Sequence, residues 1–223
     1  ETDSRNAYLD TEGNVETEQI SKEKSLQKSS LGLFKLSSNY VPNEKVHFDY
    51  DVLLKVSKQD ENMGLLNSER SNGITLDQNI YTNKNQSPFS INQNLNYYYT
   101  LDDKNVIAFE MQHIYQEEDP FYNANLQFQP FNLSGYIAGQ NRNDISQERF
   151  VKTNKLDAKL DYYYMVTPKS NINITFGNTY SHQNFNSHIF QILDNGDRND
   201  LETPENNNNV NYSFDDVFLG FHY

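Results

Sequence analysis

Apolar and polar residues alternate with period two along several stretches of the chain, which predicts strands with one apolar and one polar face. In the clearest, Val46, Phe48, Tyr50, Val52, Leu54 and Val56 share one face, and His47, Asp49, Asp51, Leu53, Lys55 and Ser57 share the other. Leu156, Ala158, Leu160, Tyr162, Tyr164 and Val166 likewise oppose Asp157, Lys159, Asp161, Tyr163 and Met165. Ile172, Ile174, Phe176 and Tyr180 oppose Asn173, Thr175, Gly177 and Thr179, and Ile107, Phe109, Met111 and Tyr115 oppose Ala108, Glu110 and Gln112. Weaker alternation marks residues 30–40 (Phe34, Leu36, Tyr40) and 90–101 (Ile91, Leu95, Tyr97, Tyr99). The last stretch, 210–223, changes phase: Tyr212 and Phe214 alternate, then Val217, Leu219, Phe221 and Tyr223, which predicts a bulge at Asp215-Asp216. The pattern therefore predicts seven strands.

The connections alternate in length. Short turns are expected at Val41-Pro42-Asn43-Glu44, at Leu101-Asp102-Asp103-Lys104-Asn105 and at Thr167-Pro168-Lys169-Ser170, all with the Pro, Asn or Asp that tight hairpins use. Between them lie long polar segments, 58–89, 117–151 and 183–209, expected as loops of a length uncommon in compact soluble domains. Short turns at one end and long loops at the other are the layout of an outer-membrane β-barrel, with the turns periplasmic and the loops extracellular. Tyrosines gather beside the short turns (Tyr40, Tyr97 to Tyr99, Tyr162 to Tyr164), as in an aromatic girdle at a membrane–water interface. Charges on the opposite face (Asp49, Asp51, Lys55, Asp157, Lys159, Asp161) suit a watery interior. A soluble β-sandwich shares the period-two pattern but not the alternating loop lengths.

Composition changes this picture little. Mean hydropathy is −0.86, yet a barrel strand needs only one apolar face, so a low average does not oppose the reading. No run of 18 apolar residues exists to form a transmembrane helix. Tyr 16 and Phe 14 are too many aromatics for a disordered chain. Cysteine is absent, so thiol and disulfide chemistry are excluded. The net charge of −13, without a basic stripe, excludes nucleic acid as a partner.

Three segments carry a family resemblance: Asn43-Glu44-Lys45-Val46-His47-Phe48-Asp49-Tyr50, Lys155-Leu156-Asp157-Ala158-Lys159-Leu160-Asp161-Tyr162-Tyr163-Tyr164, and Phe214-Asp215-Asp216-Val217-Phe218-Leu219-Gly220-Phe221-His222-Tyr223. In style they resemble the barrel region of TonB-dependent outer-membrane receptors, especially the Asn- and Tyr-rich ones of Bacteroidetes. The resemblance implies a 22-stranded barrel with a plug that imports a scarce nutrient with energy from an inner-membrane complex. Neither a plug nor an energy-coupling box is present in these residues. The expected fold is thus all-β, an antiparallel transmembrane barrel segment. Residues 1–29 are expected as an extracellular loop and 30–223 as strands and loops, with closure by strands outside this sequence, at least one of them before Glu1. Phe221 and Tyr223 resemble a terminal barrel strand, or equally an internal one cut at its turn.

The partners this implies are outer-membrane lipid and lipopolysaccharide, the rest of the barrel and plug, and a TonB energy-coupling complex or surface lipoprotein. The alternative is a structural subunit of a larger outer-membrane secretion or assembly complex built on such a barrel.

Candidate chemistry is sparse. The stretch from Asp194 to Glu202 is rich in oxygen ligands but lacks EF-hand spacing. His47, His113, His182, His188 and His222 show no metal-ligand spacing. No Ser, His and Asn are tied together as a catalytic set. The sequons at Asn132, Asn173 and Asn211 carry no weight in a bacterial protein, and two of them fall in predicted strands. No catalytic residue, cofactor or metal ligand is assigned, and no ligand-binding residue is identified.

Overall fold

The computed structural model describes residues 1–71, 73–126, 133–201, 203–204 and 206–223. Among these residues every regular element is a strand, and all belong to one antiparallel sheet. In chain order these are β1 (Thr2–Leu9), β2 (Val15–Asn43), β3 (Val46–Ser71), β4 (Ile74–Gln86), β5 (Phe89–Asp102), β6 (Asn105–Glu118), β7 (Phe121–Leu126), β8 (Asp144–Thr167), β9 (Ser170–Ile192), β10 (Arg198–Asp200) and β11 (Asn207–His222).

Seven of the predicted strands are recovered as a meander of long hairpins. β4 with β5, and β6 with β7, each act as one strand interrupted by a proline. β3 pairs with β5 at Val56↔Phe89 and with β4 at Gln59↔Gln86, in unchanged register across the gap. β8 spans the β6–β7 gap the same way, from Glu118↔Val151 to Phe121↔Glu148. Pro88 and Pro120 lack an N–H and so open the ladder locally. Their carbonyls still accept from Ser57 N–H at 3.1 Å and Arg149 N–H at 3.0 Å, which keeps the strands aligned.

Strand lengths depart from expectation. The segment 58–89 is not a loop: β3 continues to Ser71 and β4 returns from Ile74, paired throughout. Residues 1–29, expected as a loop, form β1 and the first half of β2, paired from Thr2↔Glu23 to Leu9↔Val15. Much of 117–151 and 183–209 is also strand, in β6 to β11. The reason is that these extensions are mostly polar, and their scattered apolar residues, such as Leu26, Met63, Leu65, Leu66 and Ile80, do not keep to one face. Ladder bonds and side-chain pairs such as Ser21 Oγ to Asn67 Oδ1 (2.9 Å) and Gln86 Nε2 to Gln59 Oε1 (2.6 Å) hold them, and neither leaves a hydrophobic period to read.

The bulge expected at Asp215-Asp216 is absent. β11 pairs with β9 without a break from Asn207↔His188 to His222↔Asn173. The phase switch instead means that β11 carries large apolar residues on both faces: Val217, Leu219 and Phe221 on one, and Tyr212, Phe214 and Phe218 on the other.

The three short turns form where expected, and a side chain closes each. Asn43 Oδ1 accepts from Lys45 N–H (2.9 Å), Asp102 Oδ1 from Lys104 N–H (2.8 Å) and Thr167 Oγ1 from Lys169 N–H (3.2 Å). Successive turns are stepped. Val46, at the first, pairs with Tyr99, three residues short of Asp102 at the second; Asn105 pairs with Tyr164, three short of Thr167 at the third. Three residues over two strands is about 10 Å along the strands for about 10 Å across them, so the strands lie about 45° from the normal to the line of turns.

Candidate functional site

Register sorts the side chains of the whole sheet onto two chemically distinct faces. One cross-strand row reads Tyr40, Phe48, Tyr97, Phe109, Leu160, Phe176 and Leu219. The next rows on that face carry Tyr50, Leu95 and Met111, then Tyr99, Ile107, Tyr162, Ile174 and Phe221. This apolar band slides against the register as the turns do. It ends at Val56 on β3, at Leu156 on β8, four residues lower in register, and at Val217 on β11, six residues lower.

The opposite face is polar. Its rows read Asp51, Asn94, Gln112, Asp157, Thr179 and Asp216, and Asp49, Asn96, Glu110, Lys159, Gly177 and Phe218. Exposure is inverted relative to a soluble domain. On the polar face Asp161 is 2% and Ala108 1% exposed, whereas on the apolar face Leu160 is 45% and Phe176 53% exposed. Crowding on one face and splaying on the other means that the sheet curls around its polar side.

The polar face carries an ion-pair network. Lys159 Nζ lies 3.1 Å from Glu110 and 3.5 Å from Asp161, and Lys155 Nζ lies 2.9 Å from Asp157. Thr175 donates to Asp161 across the strand pair. Next to this network is an open pocket of about 370 Å³ lined by Asn94, Asn96, Glu110, Gln112, Asp157 and Phe218. Gly177 makes room for the Phe218 ring: a Cβ there would lie 2.1 Å from the ring's Cζ. Amides, carboxylates, one ammonium and an aromatic plane suit a hydrated polar solute better than an apolar one.

At the far end from the short turns, the residues around 133–143 fold onto this same polar face. Gln191 is fully buried there, accepting from Ile137 N–H and donating to Ile137 O, both at 2.9 Å. Asn199 Nδ2 donates to Gly135 O (3.0 Å), and Leu201, fully buried, packs against Gly135. The β9–β10 turn closes through Gly196, whose φ of +89° is one that favours glycine. Asp194 at its corner accepts from Arg142 N–H (2.8 Å), Asn141 N–H (3.0 Å) and Asn141 Nδ2 (3.0 Å). These donors, the Asn141 N–H foremost, hold its carboxyl below the usual carboxylate range. Asp194 therefore pins two loops together. Glu202, at the end of the same oxygen-rich stretch, lies outside the described residues.

The histidines are spread over the sheet. His47 contacts Asp49 (2.7 Å), His182 Ser213 (2.8 Å) and His188 Asn207 (3.1 Å). His113, on the apolar face, bridges Gln93 (3.0 Å) and Asn154 (2.9 Å). Among the described residues no three His, Cys, Asp or Glu side chains converge as metal ligands would. Asn173 and Asn211 lie in β9 and β11, and Asn132 is outside the described residues.

The inward loop and the Gly177–Phe218 contact had no signature in the sequence, since both depend on which face register assigns. Comparison with protein-family models, curated proteins and solved structures finds no match to this chain.

Proposed function

We propose that this chain forms part of a bacterial outer-membrane β-barrel, of the receptor kind that takes up a nutrient by TonB-dependent transport. The observation that carries the membrane part is the exposed apolar band, continuous over seven strands and inclined to them. Its height supports the reading. The ten steps from Val46 to Val56 rise about 33 Å, which a tilt of about 45° reduces to about 23 Å, close to the apolar belt of about 25 Å on such barrels. The tilt itself matches the roughly 35–45° of membrane barrels. Among the described residues no helix is long and apolar enough to cross a membrane; in this reading the strands make the crossing.

Within that reading the polar face lines the interior and the folded 133–143 region narrows it. The outer edges of β2 and β11 pair with further strands, because unpaired N–H and C=O groups cost several kcal/mol each in hydrocarbon. Transport rests on the resemblance together with the hydrated, ion-paired interior; no enzymatic step is assigned. The plug, the energy-coupling complex and any surface lipoprotein would be partners of the assembled protein.

The test is topological. Cysteines at Asn43, Asp103 and Lys169 are expected to be shielded from a membrane-impermeant reagent on intact cells, and cysteines at Gly73, Gly135 and Gly196 to react. The reverse pattern refutes the orientation, and equal labelling of both sets refutes the membrane reading.

A further inference from the structure

We infer that the apolar side of the sheet carries, beyond its apolar band, a binding site for the anionic glycan headgroup of an outer-leaflet lipid, built on β2, β3, β4 and β7. This rests on the membrane reading above, and it concerns the outward face of the sheet, not its interior.

An open pocket of about 580 Å³ lies on the extensions of these four strands. Lys24, Asn62, Tyr81, Asn83, Asn123 and Asn125 line it. Register puts all six on the apolar-band face: Lys24↔Gly64 and Gly64↔Tyr81 form one row, Asn62↔Asn83 and Asn83↔Asn123 the next. Gly64 leaves the floor open. A Cβ there would lie 3.5 Å from the Tyr81 ring, which spreads over the glycine and stays 61% exposed. An exposed aromatic plane beside carboxamides is the surface that sugars use, C–H faces on the ring and hydroxyls on the amides. The amides are held in place: Asn83 donates to Asn62, Ser146 Oγ to Asn123 Oδ1 (2.7 Å) and Asn125 Nδ2 to Asp144 (2.7 Å).

Charge identifies the ligand as anionic. In a chain of net charge −13, Lys28 and Lys58 fall on this face between the band and the pocket, Lys24 lines the pocket and Lys22 follows just beyond it, while Glu23 and Glu61 of the same strands point to the other face. The acids beside them on this face are engaged: Asp60 takes Lys58 at 3.7 Å, and Asp144, next to Asn125 in the pocket row, takes Arg142 at 2.6 Å. The position indicates a lipid-borne source. Gly64 is eight residues beyond Val56, about 26 Å along the strand and about 19 Å above the band at the tilt found here. That is above the acyl region, at the depth of the sugars of a glycolipid whose chains lie against the band.

The experiment uses the full-length protein purified in detergent, titrated with lipopolysaccharide, with chemically dephosphorylated lipopolysaccharide and with phosphatidylglycerol. Wild type is expected to prefer lipopolysaccharide. Y81A should lower that affinity at least 5-fold, and K24A with K28A at least 10-fold, the latter loss shrinking with the dephosphorylated form. Unchanged lipopolysaccharide affinity in both variants overturns the site. Equal affinity for phosphatidylglycerol also overturns it, since charge alone would then explain binding. Insertion of all variants into vesicles is measured in parallel. A wild type that binds neither vesicles nor detergent defeats the membrane reading, whereas normal insertion with unaltered glycolipid binding defeats this inference alone.

Discussion

Leu160→Arg separates a membrane-facing band from a merely exposed one. Leu160 sits between Phe109 and Phe176 in the central apolar row. The apolar positions of β8 run from Leu156 to Val166, so Leu160 lies within one residue of their midpoint, about 2 Å of height. At that depth an arginine costs about 2–4 kcal/mol in a barrel wall. On an ordinary surface, a substitution at a residue 45% exposed costs within about 0.5 kcal/mol. The two readings thus differ by at least about 1.5 kcal/mol, roughly 10-fold in the folding equilibrium. Gln112→Arg is the control, since Gln112 lies on the polar face opposite Asp157; it should cost under about 1 kcal/mol. The assay is reversible denaturant unfolding of the full-length protein in lipid vesicles. Equal costs for the two arginines would refute the assignment of faces.

Leu54→Arg, three residues above the midpoint of Val46 to Val56, should cost less than Leu160→Arg, because the penalty falls towards the interface; an equal or larger cost in the same vesicle assay would contradict the band's position. Gly177→Ala should destabilise by about 1–3 kcal/mol through overpacking against Phe218, and Gly177→Ala with Phe218→Leu should recover part of it, as read by denaturant midpoint. Gln191→Ala should leave the Ile137 backbone unsatisfied at a cost of about 1–3 kcal/mol and speed amide exchange across 133–143; unchanged exchange would show that Gln191 does not hold the loop. Asp194 has a depressed folded pKa, so its contribution is present above the ordinary 3.8 and is lost as pH falls through the lower folded value. Amide protection at Asn141 and Arg142 should be full at pH about 5 and decline only as the pH falls below the ordinary 3.8, and Asp194→Asn should remove the pH dependence.

Alternation alone determined the strands that are apolar on one face. Val46 to Val56, Leu156 to Val166 and Ile172 to Tyr180 each put one residue in two on a common side, and any paired strand must keep that order. The short turns were equally legible, because Asn43, Asp102 and Thr167 close them with their own side chains, a local interaction. The extensions 15–29, 58–71 and 74–86 were not legible: mostly polar, with few apolar residues and those split between the faces (Leu65 beside Leu66, Ile80 beside Tyr81), they differ from loop only by pairing to a neighbouring strand. Nor could one strand show that Phe218 belongs with Lys159 and not with Leu219, or that Ile137 meets Gln191. The apolar band across the strands, the step of the turns and the outward lysines of β2 and β3 are properties of register. Hydrogen bonds between strands distant in sequence set that register, so the tertiary structure decided them.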